Sequence, residues 1–454
     1  MLVSKLSLLA HPRLLRESLR QADQTLVRGA LWAFGLNGGG LALGFLTQAL
    51  LARTLGSKGF GLYLYVLGWS NVAGLLCALE FSHAAVRYVS SYSVTREWAS
   101  LRGFLRRSHQ IVAAMTGSAG LLAATVLIST RLDREMQFCF LAACALFPLT
   151  SLIQLQSGSL LGLKRIRQSQ APFQVVRPAL FALGLVATAR ALGRSFDAAD
   201  AVAIQFFATA VALSITAWFL RSAVPREALN VPPVYHTMEW VRASSHFVAI
   251  SIAQLVLSTQ ADLLFVGALV GTAATGLYGA ASQFATLVGF GSTAIMVIAQ
   301  PMIADLYARD RIPALARLSR QIVTLTFLAS MPVFVGVVVF GRQLLHLYGA
   351  QFESAYSVLV ILALSQLVAA VVGMLLGYLF TMTAHQQTAT KIIGASAGLN
   401  IVLTLILTPW LGMIGTATAT ALSTLVRSVA LAIAGRKILK AYRATATEPP
   451  RAAS

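Results

Sequence analysis

Acidic side chains are scarce in this chain: 15 Asp and Glu stand against 35 Lys and Arg among 454 residues. Charged residues of either sign make up only 11%, less than half the share of an ordinary soluble domain. Cysteine is scarcer still. Cys77, Cys139 and Cys144 lie in apolar stretches without CxxC spacing, so neither a disulfide framework nor a thiolate metal site is expected, and all three read as small buried hydrophobes. A GxxxxGK[ST] loop and an HExxH motif are absent, and no GxSxG nucleophile elbow is expected. These gaps leave no route to P-loop nucleotide hydrolysis and no resident metal. The chain is not expected to be an enzyme.

What fills the space is apolar. Hydrophobic residues reach 57% and gather in blocks of about 20, the length of a helix that crosses about 30 Å of hydrocarbon. Lipid supplies no partner for backbone N–H and C=O, and the blocks are too long and too continuous for barrel strands, so an all-α integral membrane protein is expected. The pattern predicts about twelve transmembrane helices in two six-helix lobes. Residues 1–220 form the first lobe, 221–242 a cytoplasmic linker with Pro225, Pro232 and Pro233, 243–435 the second lobe, and 436–454 a cytoplasmic tail. The seventh span reads as one segment from Ala243 to Val270. No cleavable signal precedes the first block. With the N-terminus inside, most of the 35 Lys and Arg fall on the cytoplasmic side, as the positive-inside bias requires of a multi-pass protein of the cell (cytoplasmic, inner) membrane with both termini inside. The net charge of +20 is then a rim facing anionic lipid, and no nucleic-acid partner is needed to explain it.

An internal repeat supports two lobes. Gly56-Ser-Lys-Gly-Phe-Gly61-Leu62-Tyr63 at the first turn returns as Gly271-Thr-Ala-Ala-Thr-Gly276-Leu277-Tyr278 at the first turn of the second half. Small residues spaced Gly35xxxGly39, Gly40xxxGly44, Gly267xxxGly271 and Gly373xxxGly377 mark close helix packing. Pro148, Pro178, Pro301 and Pro332 stand within spans, where kinks are expected.

Charges inside spans are few and each needs a partner or water, since burial at mid-membrane costs about 2.5–3.5 kcal/mol. Glu80, His83 and Arg87 are spaced i, i+3, i+7, on one face of the second span or its inner extension. Asp262 sits among Ser258, Thr259 and Gln260 in the seventh. Arg177 precedes Pro178, and Arg427 lies more than two turns inside the last span, too deep to snorkel comfortably. Packing roles compete at each position: a helix-end carboxylate beside a snorkelling Arg87, and an inter-helix hydrogen bond at Asp262.

Several stretches resemble one family. Ser258-Thr-Gln-Ala-Asp262-Leu-Leu-Phe-Val-Gly267, with Gly276-Leu-Tyr278-Gly-Ala-Ala, resembles the start of the second lobe in polysaccharide flippases of the multidrug/oligosaccharidyl-lipid/polysaccharide exporter superfamily. Leu399-Asn400 through Pro409-Trp-Leu-Gly412-Met-Ile-Gly415 is similar to its penultimate span, outer turn and last span. Leu51-Ala-Arg53-Thr-Leu-Gly56 and Phe81-Ser-His83-Ala-Ala-Val-Arg87-Tyr resemble the first-lobe pieces. The pieces come in the family's order along nearly the whole chain. They depart from it at Leu263, where the family often has a basic residue. The resemblance implies a V-shaped alternating-access transporter whose substrate is a polyprenyl-pyrophosphate-linked oligosaccharide, such as an O-antigen or exopolysaccharide repeat unit. Membrane lipid and other polysaccharide-assembly proteins are its implied partners.

On that reading Arg53, Arg87 and Arg427, with Arg28, Arg177 and His83, are expected to line a path that attracts the pyrophosphate, because guanidinium groups grip phosphate oxygens bidentately. Glu80 and Asp262 either balance that charge or take up a coupling H+ or Na+; no other cofactor is called for. Two alternatives stay open: a multidrug antiporter of the same superfamily, and a polytopic glycosyltransferase or polymerase. The second would usually need a large outer loop with paired acids, whereas residues 342–354 carry only Glu353.

Overall fold

The computed structural model describes residues 12–130, 133–191, 196–308, 311–376, 380 and 386–447. Among these the chain is helical and contains no strand. The first half comprises α1 (Pro12–Ala78), α2 (Phe81–Thr95), α3 (Trp98–Ser129), α4 (Arg134–Gly162), α5 (Ile166–Ala171), a π turn (Pro172–Val176), α6 (Arg177–Ala191) and α7 (Ala198–Ala223). A short α8 (Arg226–Leu229) leads to α9 (Thr237–Val256), α10 (Thr259–Leu269), α11 (Thr272–Ala308) and α12 (Ile312–His346). A 3-10 turn (Ala350–Ala355), α13 (Tyr356–Val368), a second π turn (Ala369–Gly373), α14 (Gln386–Leu411) and α15 (Met413–Thr447) complete it.

Nine helical segments among the described residues are long and apolar enough to cross a membrane. One of them, Gly38–Ala78, holds the first two expected spans, joined at Gly56. There φ is 66° and ψ −178°, a conformation a Cβ would strain. One expectation needs correcting. The seventh span is broken into α9 and α10 at Leu257–Ser258, where Ser258 caps the new helix by accepting from the Gln260 N–H at 3.3 Å. The last span ends at Gly435 as expected, and its helix runs on through Thr447.

The repeated turns pack on each other reciprocally. A Cβ on Gly61 would collide with the Thr272 carbonyl, and a Cβ on Gly276 with the Ser57 carbonyl. The spacing that carries Gly56 to Gly271 also carries Ser57 to Thr272, so the two contacts are one contact seen from each half. The same end of the bundle, here the turn end, is sealed by Phe60 edge-on to Tyr348 and Phe352, with ring centroids 6.1 and 6.0 Å apart. At the opposite, linker end the chain from α7 to α9 is clamped against α3. Arg102 donates to the Leu229 and Val231 carbonyls at 2.6 Å each, and the Val234 N–H to Ala99 O at 3.0 Å.

Candidate functional site: a polar chamber around Asp262 and Arg427

The break before α10 puts Asp262 in the first turn of a new helix, at its positive end. Its side chain is buried, yet both oxygens are satisfied: the Tyr278 hydroxyl donates to Oδ2 at 2.7 Å and Thr420 Oγ1 to Oδ1 at 3.0 Å. The three residues come from α10, α11 and α15, so the cluster pins three helices of the second half together.

A chamber of about 290 Å³ opens beside this cluster, lined by Asp262, Ser258, Ser365, Thr420, Thr424 and Arg427. Arg427 also lines a larger cavity of about 640 Å³, with Gln254, Thr286, Gln366, Gly373 and, from the first half, Leu41. A third space of about 350 Å³ runs from Ser258 and Gln283 to Gln48 of the first half. Among the described residues no hydrogen bond or ion pair engages the Arg427 guanidinium. It stands at the shared wall of the first two spaces, free to meet an anion.

The first half has no acid at the matching place. The repeat spacing pairs Tyr278 with Tyr63, Asp262 with Thr47 and Thr420 with Gln205. Tyr63 bonds Gln205 Oε1 at 3.5 Å and stacks on Phe181 at 5.9 Å. The charge nearby is positive: Arg177 lies with its Cζ 3.8 Å over the Phe173 ring, and its buried Nε has no acceptor. Pro178 explains the local backbone. Its missing N–H deprives the Gln174 carbonyl of its helical donor, the helix widens into the π turn, and Gly40 makes room, a Cβ there standing 2.7 Å from that oxygen.

The remaining expected residues lie elsewhere. Arg53 is exposed at the turn end, where its Nε donates to the Leu347 carbonyl at 2.7 Å across the two halves. Glu80 and His83 form a pair at the linker end, Oε2 to Nδ1 2.7 Å, with His83 stacked 5.8 Å from Phe247 of α9. Glu80 does not share a helix with His83 and Arg87 as expected: Leu79 and Glu80 are left-handed, with φ 49° and 53°, and α2 begins after them. Burial pushes the Glu80 carboxyl up, but hydrogen bonds from His83, Ser251 and Ser82 outweigh it and hold it below its ordinary value. The Glu80 bond raises His83 above the ordinary imidazole value despite burial that lowers it. Arg87 is exposed on α2, its Cζ 5.7 Å from the Tyr88 ring. The Arg28 side chain lies outside the described residues. The structure thus brings together Asp262 and Arg427, and places the others at two ends and in the opposite half.

A GxSxG spelling does occur, Gly394-Ala-Ser396-Ala-Gly398, against the expectation of none. It lies inside α14, where Ser396 Oγ donates to the Ile392 carbonyl at 2.8 Å as an ordinary helical serine, and the strand-to-helix elbow that would expose it is missing.

The family model described as polysaccharide biosynthesis protein matches residues 26–307, well over half of the chain. The chain belongs to the polysaccharide biosynthesis protein family. A second model, MatE, matches residues 248–406, the stretch that carries Asp262. The probable flippase AglR of Haloferax volcanii is 30% identical over 192 residues, 42% of this chain and 39% of that protein. That match spans about two fifths of the relative's length. In fold, the chain is similar to an inward-facing multidrug-resistance MATE transporter of the MOP superfamily, with a TM-score of 0.73 at 14% identity, covering 89% of this chain and 96% of that one. It is also similar to the lipid II flippase MurJ in an inward closed conformation, with a TM-score of 0.69 at 12% identity over 91% and 90% of the two chains. The family match places the chain among polysaccharide biosynthesis proteins, and these likenesses show that it shares the V-shaped, all-helical, multi-pass fold of the two solved proteins. Sequence reasoning singled out Asp262 and Arg427 but missed Tyr278 and Thr420 as their companions. The signals were present: Tyr278 closes the repeat, and Thr420 lies two turns from Arg427 on the same face.

Proposed function

We propose that this chain is a flippase that carries a polyprenyl-pyrophosphate-linked oligosaccharide, an O-antigen or exopolysaccharide type of repeat unit, from the cytoplasmic to the outer leaflet. The observation that carries this reading is Arg427, a guanidinium without a partner among the described residues on the wall of a cavity of about 640 Å³. A diphosphate cannot enter hydrocarbon uncompensated, and a free arginine in a polar cavity supplies the forked donors that it needs. The basic linker end then faces the cytoplasm of the inner membrane, and the turn end, held by Arg53 and Gly61, is the outer gate. Residues 1–220 and 243–435 act as the two lobes around the 221–242 linker, and both termini are cytoplasmic. Asp262 takes the coupling H+ or Na+, for which a carboxylate ringed by hydroxyls is suited. Lipid-linked glycan is the substrate, and assembly proteins of the same glycan are partners.

A multidrug antiporter is the second reading, favoured by the MatE match over residues 248–406. The test is glycan surface display in a host lacking its own flippase, beside drug accumulation in the same cells. Restored display that is lost in Arg427→Ala supports glycan transport; drug efflux without display supports the antiporter.

A further inference from the structure

We propose that Arg427 is an exchange arginine, whose guanidinium pairs with ligand phosphate in the larger cavity and with Asp262 when that phosphate leaves. Carboxylate and ligand then compete for one cation. This rests on the reading of Arg427 as a phosphate contact.

Three observations place the exchange. Arg427 borders both spaces and has no partner among the described residues, so neither position must be broken to reach the other. Thr420, Thr424 and Arg427 follow i, i+4, i+7 along α15, on one face that looks into the smaller chamber. Helical side chains lean toward the N-terminus of their helix, which for Arg427 is the direction of Thr420 and Asp262. The separation of Thr420 and Arg427 along the axis is about 10 Å, and both line the same chamber. At the far side, Asp262 is held only by two hydroxyl donors. Neither donor carries a charge, so the carboxylate in its ionised form retains an attraction for any cation that enters. In the absence of ligand, pairing with Asp262 silences the arginine; ligand phosphate draws it back. A site that stays equally charged in every state would hold its cargo too well to release it.

The test uses the purified full-length protein and two probes, inorganic pyrophosphate and farnesyl pyrophosphate, with affinity measured by equilibrium binding. Asp262→Asn keeps the shape of the cluster but removes the competitor, so affinity rises, by about tenfold for the loss of one charge partner. Thr420→Val removes a hydroxyl that restrains the carboxylate, frees it toward Arg427, and lowers affinity severalfold. Arg427→Gln lowers it further and abolishes the effect of Asp262→Asn. Opposite shifts from two changes in one cluster are a result that loss of folding cannot imitate. Unchanged affinity in both Asp262→Asn and Thr420→Val, with a loss in Arg427→Gln, overturns the exchange and leaves the phosphate contact standing. Unchanged affinity in Arg427→Gln overturns both. The ordering with farnesyl pyrophosphate as well as the inorganic salt assigns the site to lipid-linked phosphate; the ordering with the salt alone assigns it to free phosphate and contradicts the flippase reading.

Discussion

The two halves of this molecule repeat a turn, a tyrosine and a helix packing, yet they differ in what they do with charge. In the first half Tyr63 meets the amide of Gln205, and the nearby cation, Arg177, is half-buried and stacked on Phe173. In the second half Tyr278 meets the carboxyl of Asp262, and the cation, Arg427, has no partner among the described residues and borders two cavities. Repetition fixed the scaffold, and the chemistry sits where the repeat is broken. A cation stacked on a ring within the packing is architecture; one left open to a cavity is available for work.

Four substitutions test that contrast. Arg177→Ala removes a cation–π contact and the packing of a long stem, and is expected to lower stability by about 2–3 kcal/mol. Arg427→Ala, with no partner to lose, is expected to leave the melting temperature of the detergent-solubilised protein within a degree or two, roughly the size of a surface substitution. Equal losses of stability would erase the distinction. Gly61→Val and Gly276→Val push side chains into the facing carbonyls and are expected to lower stability by about 1–3 kcal/mol each, because overpacking cannot be relieved against backbone. Their effects should match within error and should not add in the double variant, since both strike one contact.

Tyr278→Phe removes a hydrogen bond to a charged acceptor, at about 1.5–3 kcal/mol, whereas Tyr63→Phe removes a long bond to a neutral amide, at about 1 kcal/mol or less. A larger loss from Tyr63→Phe would contradict the assignment of the charged cluster to the second half. The smallest effect is expected at His83, which is largely exposed. Its pairing with Glu80 raises the imidazole above its ordinary value, so the stabilisation is complete below the unfolded value and is lost as pH rises through the raised folded value. The difference in melting temperature between wild type and His83→Gln should therefore be greatest in mild acid and vanish at alkaline pH. A difference that grows with pH would contradict the pairing.

Much of this architecture was legible in the residues. Apolar blocks announced membrane helices because lipid leaves the backbone no other partner, and Gly56 and Gly271 marked turns because glycine takes the φ values of 66° and 118° found there without strain. Asp262 and Arg427 stood out because charge in a span is expensive. The break before Ser258 was less visible: an apolar count over Ala243 to Val270 averages it away, although Ser258 followed by an acid one turn later is a helix-start signal. Gln205 was invisible as a partner of Tyr63, since a polar residue in a long span declares nothing about which helix it faces. Arg53 and Arg87 were grouped with the cavity on charge alone. Their distance from it follows from the packing of the turn end and of α2, which no local pattern encodes.

The measurement that bears most directly on the account is leaflet-resolved translocation of a fluorescent polyprenyl-pyrophosphate-linked oligosaccharide in proteoliposomes carrying equal amounts of wild type, Arg427→Lys and Arg427→Ala. The account predicts movement by wild type, a partial rate for lysine, which keeps charge but loses the fork, and a loss of at least about tenfold for alanine. A wild-type rate from Arg427→Ala, at normal abundance and stability, would contradict it.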